Sequence, residues 1–451
     1  MNLIDKLLQR LRNGGERSVA VKKNIVGSLV LKGVSMVVTF VLVPLTIGYV
    51  SAELYGVWLT LSSMLMWFGF MDIGFTQGLK NKLTEAIAAQ DWEKGKSLVS
   101  TTYFLMFLIF VPICIILEFI VPLIDWTSLL NVDVQYETEI REVIRVLVVL
   151  ACVQMIVNVL VSVVAAFQKV ALSNSFMVIG NALSLIIICV LRVTCPPSLL
   201  ALAFALAAMP ILVTIVASVI LFLGKYRKIA PRVGYIRTSY ISELFGLGYK
   251  FFLINVQVLV VYQSTNLLIS YVSSPLEVTT YNIAYKLLSI AMMVFAIITA
   301  PLWPAYTDAY YREDYNWMKE MKRKMDKVFY LSVAGCLFLA LFSGIIYKVW
   351  IGDQVDIPLM MTLFVTFYTI VYCWLTLNGT LIVGMGKLKL DVIIVVAGMI
   401  CHIPLSLLLS RYIGCYGVIS SMIFISFVYG LIYHIQVGKL LNKTATGIWN
   451  Q

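Results

Sequence analysis

The sequence predicts an all-α polytopic membrane protein, with twelve transmembrane helices in two six-helix lobes related by a pseudo-two-fold along the membrane normal. Three observations predict it. The composition is 61% hydrophobic and only 13% charged, with mean hydropathy +0.93, unlike any soluble domain. Apolar stretches long enough to cross a hydrocarbon core of ~30 Å recur along the whole chain. The second half also echoes the first at an offset of about 220 residues, the mark of a parallel repeat.

In chain order, the first segment is 1–23, with Lys6, Arg10, Arg12, Arg17, Lys22 and Lys23 spread through it. It lacks the separate apolar core of a cleavable signal peptide. Leu3, Leu7 and Leu11 share a helical face, which fits a cytoplasmic surface helix; a disordered basic tail is the alternative. The N-lobe, 24–223, holds spans at 24–50, 55–75, 98–124, 141–167, 175–194 and 198–223. A cytoplasmic inter-lobe loop covers 224–247. The C-lobe, 248–440, holds spans at 248–272, 280–306, 328–351, 358–384, 390–410 and 417–440, and a cytoplasmic tail covers 441–451.

Charge asymmetry orients these spans. With the N-terminus cytoplasmic, 27 of the 34 Lys and Arg fall on that side. The opposite loops are short and carry Glu53, Asp125, Asp133, Glu277, Asp353 and Asp356. The formal charge of +11 therefore follows the positive-inside rule and does not point to nucleic acid.

The repeat rests on several pairs. Tyr49-Val50-Ser51 matches Tyr271-Val272-Ser273, Asp91 matches Asp314, Lys169 matches Lys387, and Arg192 matches Arg411. Cys195 and Cys415, also matched, belong to opposite lobes and are not expected to pair.

Polar residues recur at helical spacing within several spans. In the first, Asn24, Ser28, Lys32, Ser35, Thr39 and Thr46 form one stripe. Lys32 sits eight residues in, about 12 Å deep, where a cation costs ~2.5–3.5 kcal/mol unless it faces water or a partner. The fourth span carries Arg141, Arg145, Gln154, Asn158 and Ser162, and the seventh carries Asn255, Tyr262, Asn266 and Ser270. A threonine stripe in the tenth serves helix packing equally well.

Lys32, Arg145, Lys286, Lys250, Asn158, Asn255 and Asn266 are the candidate cavity residues for an anionic cargo head. Snorkelling to the interface is an even alternative for Arg145 and Lys286, the stronger reading for Lys250, and weakest for Lys32. Asp72 is a candidate ion-coupling or gate residue, a counter-ion to Lys32, or a helix-end carboxylate. Asp308 is a second gate candidate, for which a structural salt bridge is favoured. Lys80, Lys82, Lys94 and Lys96 signal topology, with attraction of anionic headgroups as the alternative. His402 and His434, the two histidines, read as helix-packing groups.

No nucleotide-binding loop, metal cluster or hydrolase motif occurs, so no cofactor, metal or catalytic residue is expected.

Several stretches resemble Wzx-type polysaccharide-repeat flippases, of the multidrug/oligosaccharidyl-lipid/polysaccharide exporter superfamily. They are LKGVSMVVTFVLVPLTIGYVSAELYGVWLTL, MDIGFTQGLKNKL and the turn A-x-x-x-D-W-x-K-G-K-x-L in the first half, with SSPLEVTTYNIAYKLLSI and APLWPAYTDAY in the second. The resemblance spans roughly residues 20 to 440. It implies two lobes around a central cavity in a bacterial cytoplasmic membrane, with both termini cytoplasmic. It also implies alternating-access translocation of oligosaccharide units linked to undecaprenyl pyrophosphate. Implied partners are that lipid-linked oligosaccharide, membrane lipids, polysaccharide polymerase machinery, and H+ or Na+ as coupling ion. Two competing readings stand beside it, a drug or metabolite antiporter of the same superfamily and a membrane-embedded glycosyltransferase or polymerase.

Overall fold

The computed structural model describes residues 16–69, 72, 74–244, 259–299 and 302–451. The helices fall in chain order. First come α1 (Glu16–Ile47), α2 (Ala52–Phe68), α3 (Phe75–Ala88), α4 (Trp92–Ile120), the short α5 (Trp126–Leu130) and α6 (Glu137–Val157). Then come α7 (Val159–Ala166), α8 (Val170–Thr194), α9 (Leu199–Ala203) and α10 (Met209–Leu223), the last two joined by a π-helical turn at Phe204–Ala208. The second half holds α11 (Thr265–Val272), α12 (Pro275–Thr299), α13 (Leu302–Tyr311), α14 (Tyr315–Leu341) and α15 (Ser343–Ile351). It ends with α16 (Leu359–Met385), α17 (Lys389–Ile413) and α18 (Cys415–Leu441).

Nine helices among the described residues are long and apolar enough to cross a membrane, and α14 with α15, bent by 62°, makes ten. Of the twelve spans expected, the second is the 17-residue α2 and the seventh begins outside the described residues. The π-turn ahead of α10 has a local cause, since Pro210 lacks the N–H that a regular α-helix would use.

The chain divides into two compact units. The first is drawn from Met1–Ser51, Leu65–Thr127 and Asp133–Asn255, the second from Ala52–Met64, Ser128–Val132 and Val256–Gln451. The second unit thus includes most of α2.

The repeat is visible in local geometry. In the first unit Gln90 takes φ 56°, Asp91 N donates to Ala86 O at 2.9 Å, and the Asp91 carboxylate caps α4 by accepting from Lys94 N at 2.9 Å. In the second, Glu313 takes φ 57°, Asp314 N donates to Ala309 O at 2.9 Å, and Asp314 caps α14 by accepting from Trp317 N at 3.0 Å. Each turn satisfies the open carbonyls of one helix and the open N–H groups of the next. Lys169 and Lys387 also occupy matching turns, donating backbone N–H to Val164 O at 3.3 Å and Ile382 O at 3.2 Å.

In lipid there is little hydrophobic drive between helices, so close backbone approach and hydrogen bonds carry the packing. Outward faces are apolar and exposed, as at Phe107, Ile115 and Phe119 on α4. Inside the first unit, Gly180 of α8 lies flush against Pro210 of α10. Inside the second, Gly417 of α18 lies flush against the Leu409–Ser410 backbone of α17.

The basic residues after α2 have structural partners. Glu243 lies 3.1 Å from Lys94 Nζ and 3.6 Å from Lys82 Nζ, while Lys96 sits over the Tyr235 ring at 4.4 Å. Lys82 is held above the usual lysine range by its hydrogen bond to Glu85, with burial opposing. These contacts fasten the chain between 225 and 244 to α3 and α4.

Candidate functional site

The first unit contains a cavity of about 560 Å³. Helix α1 brings Lys32 and Ser35 to it, α6 and the α6–α7 break bring Gln154 and Asn158, and Ser162 follows on α7. The turn before α3 brings Asp72, followed by Thr76 and Gln77. Asn158 reaches the wall where α6 yields to α7. The remaining walls are apolar, including Met155, Phe176 and Met177. Of the α1 stripe, the side chains of Asn24 and Ser28 lie outside the described residues.

Lys32 is exposed to the cavity and makes no ion pair among the described residues. Asp72 shares the cavity but is turned to its own backbone. Its Oδ1 accepts from Gly74 N at 2.7 Å, and its Oδ2 accepts from the Thr76 hydroxyl and from Thr76 N at 3.4 Å. Asp72 therefore braces the turn that leads into α3, as the helix-end reading of it expects. These bonds predict that Asp72→Ala destabilises the protein by about 1 kcal/mol, and that Asp72→Asn, which keeps one of the two acceptor oxygens, costs less. Thermal unfolding of the two variants checks it, and equal stability of Asp72→Ala and the parent would contradict it.

The other candidates lie elsewhere. Arg145 Nε is 2.8 Å from Glu118 Oε2 of α4, in a separate groove. Its carboxylate partner replaces the cavity role expected of it. With the Arg145 side chain 54% exposed, the pair contributes little, and Arg145→Gln is expected to change stability by under about 1 kcal/mol and leave transport intact. Lys286 of α12 lies in the second unit, donating to Tyr55 Oη at 3.0 Å beside that residue's ring. Asn266 there donates to Leu59 O at 3.2 Å and accepts from Asn282 at 2.9 Å, so its amide bonds to neighbouring helices. Asp308 pairs with Arg312 one turn on, at 2.9 Å on an exposed helix face, the salt bridge favoured for it. Lys250 and Asn255 lie outside the described residues, as do the first fifteen residues of segment 1–23.

Sequence reasoning missed Thr76, Gln77, Ser173, Asn174 and Thr214 on the cavity wall. The signal for Ser173 and Asn174 was present: α8 starts at Val170, five residues before the expected span, which brings both onto a helix. Glu118, a carboxylate within the third span, was also overlooked.

An unpaired cation, surrounded by amides and hydroxyls in a cavity with apolar walls, suits a cargo with an anionic end and many hydroxyls. Residues 21–310 match the family described as polysaccharide biosynthesis protein. No protein of curated function matches. Among solved structures, the inward-facing conformation of a multidrug resistance MATE family transporter of the MOP superfamily is similar, at TM-score 0.72 and 13% identity over 92% of this chain and 96% of that one. The outward-facing conformation of such a transporter gives TM-score 0.60 at 13% identity, covering 97% and 98%. A Vibrio cholerae MATE transporter gives 0.59 at 15%, covering 96% and 99%. At these identities the likeness establishes the fold, and the family match adds the biological setting. The chain belongs to the polysaccharide biosynthesis protein family and has the multi-helix membrane fold seen in MATE family transporters.

Proposed function

We propose that the protein is a flippase that moves pyrophosphate-linked polyprenyl oligosaccharide units across a bacterial cytoplasmic membrane by alternating access. Both termini lie in the cytoplasm in this reading, H+ or Na+ couples the cycle, and the polysaccharide polymerase machinery takes up the product. The observation that carries it is Lys32, exposed to a cavity rich in amides and hydroxyls with no carboxylate paired to it. A cation in low-dielectric surroundings attracts a pyrophosphate strongly. Gln154, Asn158 and Ser162 supply neutral hydrogen-bonding groups for the first sugars.

The fold likeness to multidrug transporters favours a second reading, export of a small drug or metabolite. Lys32 on the same cavity wall repels a cationic drug, and the hydrogen bonds that Asp72 accepts from Gly74 N and Thr76 engage the carboxylate that such a drug would use. Binding of inorganic pyrophosphate to the purified protein separates the two. The proposal expects saturable binding that weakens at least about tenfold in Lys32→Ala, the loss of one charge-assisted contact. Equal binding in both proteins would refute it.

A further inference from the structure

We infer that His402 of α17 is a proton-binding site within the second unit, reached through Ser406 and Ser410. His402 is fully buried, and its Nδ1 lies 3.1 Å from Ser421 Oγ of α18. The Ser421 hydroxyl already donates to the His402 carbonyl oxygen at 3.1 Å. Its oxygen must therefore accept from Nδ1–H, which fixes the neutral tautomer and makes Nε2 the bare acceptor. Nε2 has no hydrogen-bond partner, although it is buried.

Two further buried hydroxyls on the same helix lack partners, Ser406 Oγ and Ser410 Oγ. They follow His402 at intervals of four residues, about 6 Å each, on the face that meets α18. A histidine kept only for packing would leave three orphaned polar atoms in one stripe, each stripped of its water hydrogen bonds. Water taken up along the stripe gives all three a partner and a path for a proton to Nε2. Ionisable groups inside a membrane protein typically mark such proton relays.

The titratable neighbours leave His402 without a competing charge pair. From α18, Tyr429 donates to Val395 O at 3.2 Å and Tyr433 pairs with Asp391, both on the Lys389 side of His402. Segment 259–263 presents Tyr262, and α11 carries the exposed Tyr271. Beyond Ser410, Cys415 Sγ lies 3.6 Å from Glu277 Oε2, placing a carboxylate at that end. On α17 itself Cys401 and Arg411 are exposed. His402 makes no ion pair among the described residues.

The inference names the coupling ion left open above, and its readout needs no cargo, so it stands or falls apart from the flippase reading. Nitrogen-15 NMR of histidine-labelled full-length protein in nanodiscs tests it, since the chain has only two histidines. Subtracting the spectrum of His434→Gln or His402→Gln assigns the two rings. The expected result is an Nδ1–H tautomer at high pH, with Nε2 gaining a proton from water as the pH is lowered. In Ser406→Ala/Ser410→Ala, exchange of the ring proton with water is expected to slow at least tenfold. An Nε2 that stays unprotonated down to pH 4, or exchange as fast in the double variant as in the parent, overturns it.

Discussion

Lys32→Ala is expected to abolish surface polysaccharide in cells while the protein inserts and accumulates normally. One charge-assisted contact to a phosphate is worth about 1.5–3 kcal/mol, a loss of roughly 10- to 150-fold in cargo affinity. Lys32→Arg keeps the charge and is expected to retain most activity, whereas Lys32→Gln is expected to fail like alanine. Polymer on the cell surface, measured with protein level in the membrane, distinguishes these outcomes. Because Lys32 makes no ion pair among the described residues, its removal strands no partner charge there and stability should hardly change.

Gly56→Ala is expected to have the largest structural effect of a single methyl group. Gly56 lies on α2, and a Cβ there would overlap the Pro275 carbonyl oxygen, a backbone atom that cannot turn aside. The same surface is held by Thr279 Oγ1 donating to Ala52 O at 2.6 Å, by Lys286 with Tyr55, and by Asn266 with Leu59. Forcing α2 away from α12 strains all of them together, for about 3 kcal/mol. Thermal unfolding in nanodiscs reads this directly. Gly335→Ala is the control, since nothing lies within 4 Å of a Cβ there, and it is expected to be neutral or stabilising by less than about 1 kcal/mol. If the contact also serves the transport cycle, Gly56→Ala will lose activity beyond its loss of protein, with Lys32 intact.

Much of the cavity was legible in the sequence because its residues share one helical period. Lys32 and Ser35 are on one stripe of α1, and Gln154, Asn158 and Ser162 are on one stripe of the fourth span. Each stripe stands out against an apolar helix. The turns at Asp91 and Asp314 were legible for a different reason, a matched sequence offset that became matched capping geometry. Arg145 was not legible, because its partner Glu118 comes from another helix and spacing along one helix says nothing of the next. Asp72 was ambiguous until Gly74 N and Thr76 were placed beside it, although an acid two residues before a glycine and four before a threonine is a turn-bracing pattern. The orphaned Nε2 of His402 was invisible, since sequence shows which residues are polar but not which hydrogen bonds they fail to find.

Leaflet-resolved transport in proteoliposomes separates a flippase from a glycosyltransferase or polymerase. Purified protein would be reconstituted with polyprenyl-pyrophosphate oligosaccharide on one leaflet, and its appearance on the other would be followed by accessibility to a glycan-cleaving enzyme. A flippase gives protein-dependent transfer of the lipid-linked sugar with its length unchanged, and this transfer is expected to be lost in Lys32→Ala. Sugar extension without transfer, or transfer equal in the parent and Lys32→Ala proteins, would contradict it.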